Sequence, residues 1–243
     1  MPGRLPTQAD FPSSVILSVT PPPPSQPATN ILILLHGLGD THEPFTKLAT
    51  QLNLPETACL SLRAPAPLPF DLPGFHWGDD MVFDQHSGEM DTDTGFAASA
   101  GLVLDKVIKQ GLMAKCGYAA REVVLFGFAQ GGMLALQVAA SFREELGGVV
   151  SVGGAPSLSA PLPTAGKKNR TSVLVCKASR GSSVTDSAAK RLKDTFEFAE
   201  VKEWNRVGDG MMRNREEMLP IMRFLARRLR SRRGVPEGSV ELT

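Results

Sequence analysis

Residues 123–133 read Val-Val-Leu-Phe-Gly-Phe-Ala-Gln-Gly-Gly-Met. The run Val123–Phe126 is apolar without interruption and opens on two β-branched valines, the pattern of a strand buried on both faces. It enters Gly127-Phe128-Ala129-Gln130-Gly131, and helical spacing resumes from Gly131 to Leu146. Glycines on both sides of one residue imply a turn so tight that a Cβ at either would strike a neighbouring element. The same alternation extends in both directions. Short apolar runs at Ser14–Val19, Ile31–Leu35, Cys59–Leu62, Val149–Val152 and Ser172–Cys176 read as strands, with a weaker one at Val201–Trp204. Between them lie stretches with helical spacing: Phe45 to Leu52, Thr94 to Met113, Val184 to Phe198, and Arg213 to Arg232 as the longest. Strands alternating with helices predict an α/β fold, a mostly parallel sheet with helices on both faces.

Composition narrows the function classes. Of 243 residues, 42% are hydrophobic and 21% charged, with a net charge of +1. That balance suits a globular domain and provides no field for nucleic acid or an anionic membrane. No apolar run is long enough to span a bilayer, and the first residues do not read as a signal peptide, so a cytoplasmic protein is expected. Cys59, Cys116 and Cys176 are too few and too scattered for a disulfide framework or a zinc site. The sequon at Asn169 reads as chance in that setting. We expect a single domain over residues 1–230 and a disordered tail over 231–243. Pro21–Pro24 is either a polyproline II ligand or, more simply, a stiff loop. Residues 64–93 read as a long irregular excursion.

Two motifs carry the chemistry. Strand, G-x-S-x-G and helix define a nucleophile elbow, in which a strained turn lifts a serine to the end of a sheet. Here both glycines are present and the central residue is Ala129, whose methyl group cannot attack a carbonyl. The second motif, His36-Gly37-Leu38-Gly39-Asp40, ends the strand ILILL. In elbow hydrolases the loop at this place supplies one oxyanion-hole N–H and the residue after the nucleophile supplies the other. Those donors map to Leu38 and Gln130.

With ILILLHGLGD, Arg63-Ala-Pro-Ala-Pro-Leu-Pro69, Trp77-Gly78-Asp79 and GFAQGG, the chain resembles the acyl-protein thioesterase/carboxylesterase family, the phospholipase-carboxylesterase branch of the α/β-hydrolases. The likeness runs from about Ile31 to Leu229 and is most specific in the first two-thirds. It implies an α/β-hydrolase fold and hydrolysis of ester or thioester bonds by a Ser-Asp-His triad in that chain order, with no cofactor and no metal. It places the serine at Ala129, the acid at Gly181 in Lys177-Ala-Ser-Arg-Gly181, and the histidine at Met211 after Gly208-Asp209-Gly210. All three are changed.

The general base of this fold sits on the loop after the last strand. The histidines are His36, His42, His76 and His86, and none follows residue 86. A deliberate serine-to-alanine change would explain Ala129 and leave Gly181 and Met211 unexplained. The expectation is a pseudo-hydrolase whose pocket, walled by His36, Gly37, Leu38, Trp77 and Gln130, holds an acyl or small apolar ligand or a protein partner. An ester or thioester hydrolase and a surface scaffold are the alternatives.

Other groups invite blander readings. Asp186 and Asp209 read as solvated loop carboxylates, and Cys176 as inert packing. Asp79, Asp80, Asp84, Glu89, Asp91 and Asp93, with His76 and His86, read as a solvated acidic loop, since no ligand spacing orders them. Arg223, Arg227, Arg228, Arg230, Arg232 and Arg233 read as a solvated helix end, with an anionic partner as the sharper alternative.

Overall fold

A computed structural model describes residues 3–82, 90–160, 167–231 and 234. The tail from 235, Asp84, His86, Glu89, Arg232 and Arg233 lie outside the described residues. The strands are β1 (Leu17–Thr20), β2 (Asn30–Leu35), β3 (Thr57–Leu62), β4 (Ala66–Pro67), β5 (Phe75–His76), β6 (Val123–Phe128), β7 (Gly148–Val152), β8 (Val173–Arg180) and β9 (Ala199–Val207). The helices are α1 (Glu43–Leu52), α2 (Ala97–Gly101), α3 (Gln130–Ser141), α4 (Asp186–Thr195) and α5 (Arg215–Arg228). Seven strands form one sheet in the order β1-β3-β2-β6-β7-β8-β9, parallel except for β1. The mostly parallel α/β architecture expected from the alternation is therefore present.

The sequence explains which strands are central. β2, β3 and β7 are buried at every residue, because their mostly apolar side chains pack against helices on both faces. One apolar cluster joins Ile31, Ile33 and Leu125 to Leu134 and Val138 of α3; the other joins Leu32, Leu34 and Phe126 to Phe45, Phe224 and Leu225 of α1 and α5. β9 is an edge strand, mostly exposed and rich in charge, so its apolar pattern is diluted. It is nine residues long where Val201–Trp204 alone stood out.

Several local expectations change. α2 passes into a π-helical segment, Leu102–Lys115, in which Cys116 N–H reaches back to Gly111 O. The two together outrun α5, so Arg213–Arg232 is not the longest helical stretch. Gly111 is there because a Cβ would enter the Phe11 ring. The excursion holds a small hairpin, β4 with β5, fastened to the β2–α1 loop by Gly39 N–H to Phe75 O (3.0 Å) and Phe75 N–H to Asp40 O (3.1 Å). The tetraproline follows β1 and ends in a turn, with Gln26 N–H on Pro23 O, which suits the stiff-loop reading. Asn169 is structural: its amide donates to Ala139 O (2.8 Å) and Phe142 O (3.0 Å), satisfying carbonyls at the end of α3. No helix among the described residues is long and apolar enough to cross a membrane.

Candidate active site

The elbow is built as its glycines require. β6 is the middle strand of seven, and Ala129 stands between it and α3 at φ 48°, ψ −116°. A non-glycine residue held at such angles is strained, and it persists only where surrounding bonds fix it. Here Ala129 N–H donates to Val152 O of β7 (2.8 Å), while Ala129 O accepts from Gly132 N–H (2.9 Å) and Met133 N–H (3.0 Å). A Cβ on Gly127 would meet the Gly131 carbonyl, and one on Gly131 would meet the carbonyls of His36 and Leu35, all well inside 3.0 Å. Backbone cannot yield as a side chain would, so both positions admit glycine alone. Ala129 itself is half-buried.

The two backbone N–H groups expected to serve as oxyanion donors are unspent. Among the described residues, neither Leu38 N–H nor Gln130 N–H has an acceptor within the protein. Gln130 opens α3, so its N–H is one of the helix's unsatisfied first-turn donors, at the positive end of the helix dipole. The Gln130 side chain has a different task. Its Oε1 accepts from Trp77 N–H (2.8 Å) and its Nε2 donates to Thr92 O (3.4 Å), tying the middle and the end of the excursion to the elbow.

His36 and Trp77 stand behind this nest. Both are fully buried, with rings 5.2 Å apart. Trp77 Nε1–H donates to His36 O (2.9 Å). His36 Nε2 accepts from Ala64 N–H (3.0 Å), so the ring proton is assigned to Nδ1, which donates to Gly37 O (2.7 Å). Its basic lone pair is committed to a backbone amide, which leaves it no part as a general base. Burial lowers the pKa of His36, and also of His42 and His76. The unfolded chain therefore takes up protons below about pH 6.5, before these folded histidines do. Stability is fully present above that pH and is lost as pH falls toward the folded values. Burial of His36 alone gives a slope of up to about 1.4 kcal/mol per pH unit in that window. The urea midpoint is expected to fall between pH 7.5 and 5.5; a flat midpoint would refute the buried-neutral assignment.

The loops that complete a triad in such folds adjoin each other here without triad side chains. A Cβ on Gly181, at the end of β8, would lie 3.7 Å from Gly208 N, at the end of β9. Gly181 has φ 64°, and an aspartate there would be strained. Met211 packs partly buried beside the apolar cluster of Phe126 and Phe224, and its carbonyl accepts from Arg206 Nη1 (3.1 Å). Nothing in Asp209-Gly-Met-Met-Arg213 is an imidazole, and arginine stays protonated.

Asp209 is not the solvated carboxylate expected. It binds Ala178 N–H (2.9 Å) through Oδ1, and Ser182 Oγ (2.9 Å), Ser183 N–H (2.9 Å) and Ser183 Oγ (3.3 Å) through Oδ2. In a triad, the acid stands on the β8 loop and holds a group on the β9 loop. Here the acid stands on the β9 loop and the β8 loop supplies the donors. Arg206 and Glu217 fix the rest of the loop: the pair is buried at 3.1 Å, Arg206 also donates to Gly210 O, and Glu217 accepts Arg213 N–H (2.8 Å). No spacing in the sequence signals either device.

The acidic stretch also resolves into structural bonds. Asp79 caps α2 by accepting Ala97 N–H (2.7 Å) and Ala98 N–H (2.8 Å), and Asp93 holds Ser157 and Leu158 N–H. Among the described residues no three metal-ligating side chains group together. Cys176 is fully buried, and burial pushes its thiol up to about 12, so it stays protonated. Arg227 pairs with Glu200 and Arg228 with Ser172, which disperses the charge at the end of α5.

A family model described as phospholipase/carboxylesterase matches residues 19–223. The chain belongs to the phospholipase/carboxylesterase family. It is 34% identical over 183 residues to an uncharacterised hydrolase of Schizosaccharomyces pombe, covering 73% of each chain. It is 29% identical over 140 residues to acyl-protein thioesterase 1 of Saccharomyces cerevisiae, covering 53% of this chain and 59% of that one. The crystal structure of esterase PE8 superposes with a TM-score of 0.70 at 18% identity, over 88% of this chain and 99% of that one. The α/β-hydrolase fold expected from the motifs is thus shown, within the phospholipase/carboxylesterase family.

Proposed function

We propose that this phospholipase/carboxylesterase relative binds an acyl-bearing ligand at the elbow without cleaving it. The observation that carries the reading is Ala129 in elbow geometry beside two unspent N–H donors, with no imidazole on the loop after β9. A carbonyl or carboxylate oxygen suits unspent N–H donors beside a helix N-terminus, because that is where negative charge is favoured. Hydrolysis needs a nucleophile and a base acting as a unit, and the residues at all three triad positions lack that chemistry. One domain over residues 1–230 and a cytoplasmic setting complete the reading, since three free buried thiols suit a reducing compartment.

A thermal-shift and fluorescence screen with long-chain fatty acids and S-acyl peptides tests the binding half. A raised melting temperature with a change in Trp77 emission, read in a Trp204→Phe background, is the expected result. Its absence for every acyl ligand would favour the surface-scaffold reading.

A further inference from the structure

We propose that Ser183 is a phosphorylation site whose modification releases the Asp209 latch. The inference is independent of what the elbow binds. Ser183 is exposed on the β8–α4 loop, yet its hydroxyl sits at the junction of three loops. Ser183 Oγ donates to Gly153 O (2.7 Å), just past β7, and lies 3.3 Å from Asp209 Oδ2. Gly153 follows Val152, whose carbonyl holds Ala129 N–H. The junction is thus one residue away from the elbow's own anchor.

Recognition is available on the same loop. Arg180 precedes Ser183 by three residues, is exposed, and has no ion pair among the described residues. A free guanidinium at that distance fits the acidic groove of a basic-directed protein kinase, through charge-assisted hydrogen bonds. The same spacing occurs at Arg4 and Thr7, Lys47 and Thr50, Lys168 and Thr171, and Arg228 and Ser231; Thr171 is fully buried, and none of the others bonds to Asp209. Spacing and exposure alone therefore do not select Ser183; its place at the latch does.

The step uses ATP. Ser183 Oγ attacks the γ-phosphorus, the bond from that phosphorus to the β–γ bridging oxygen breaks, ADP leaves, and the hydroxyl proton passes to the kinase's base. The product carries close to two negative charges where a hydroxyl stood against a carboxylate. Like charges at that separation repel, so Asp209 loses Ser183 and is driven from Ala178 N–H. The hydrogen bonds left to the loop carrying Gly210 to Arg213 are then those of Arg206 and Glu217.

The test incubates the full chain with ATP and an arginine-directed kinase. One phosphate on Ser183 is expected, abolished by Ser183→Ala and strongly reduced by Arg180→Ala. Amide exchange at residues 208–213 should rise about tenfold in the phosphorylated chain, with a melting temperature lower by about 4 °C. Asp209→Asn, which removes the repelling charge, should blunt both changes. Phosphate on another residue, failure to label both the folded chain and a peptide spanning 176–187, labelling of the peptide alone, or unchanged protection after stoichiometric labelling would each overturn the proposal.

Discussion

Gly131→Ala is expected to destabilise the fold by about 4 kcal/mol or more, a large part of the roughly 5–15 kcal/mol that holds such a domain together. The new methyl group would stand inside contact distance of the carbonyls of His36 and Leu35, and neither strand end nor helix start can withdraw without breaking β2–β6 pairing. Gly101→Ala is the control. A Cβ there meets nothing within 4 Å, so the same substitution should be neutral or stabilise by up to about 1 kcal/mol. Urea denaturation of both variants decides the matter, and equal effects would contradict the geometry. The comparison also bears on evolution of the site. Glycines 127 and 131 are demanded by packing, so their retention says nothing about catalysis, and the functional argument rests on Ala129 and the unspent donors.

Glu217→Ala should cost about 3–5 kcal/mol, because it strands the Arg206 guanidinium in a site where each side chain of the pair is about a tenth exposed or less. Gly210 O and Met211 O would remain as acceptors, but no charge would offset that of the cation. The double change Arg206→Met with Glu217→Leu should be much milder, since it removes both charges and fills the space. A double variant as unstable as the single one would show that Glu217 acts through Arg213 N–H and the α5 start alone. Either way the loop after β9 is held by a buried frame where an active hydrolase would present its histidine.

Much of this was legible in the sequence. ILILL, VVLF and the G-x-A-x-G turn announce themselves because central parallel strands are apolar at every position and the elbow tolerates only glycine at its flanks. β9 was faint because an edge strand carries charges such as Lys202 and Glu203 that break any apolar run. The residues that fix the site were silent for another reason. Asp209 meets Ala178 from 31 positions away, and Gln130 reaches Trp77 across 53, so no local pattern records either bond. His36 and Trp77 were visible as parts of motifs, but only three-dimensional packing shows that their polar atoms support backbone from behind the nest.

The measurement that bears most directly on the central claim is turnover of a long-chain p-nitrophenyl ester and an S-acyl thioester by the native chain and by Ala129→Ser. Native protein is expected to release product no faster than the same protein heat-denatured. Ala129→Ser is expected to stay without enzyme-like turnover, because the added hydroxyl finds no base on the β9–α5 loop. Saturable hydrolysis by the native chain, or a fast enzyme from the single serine substitution, would contradict the claim.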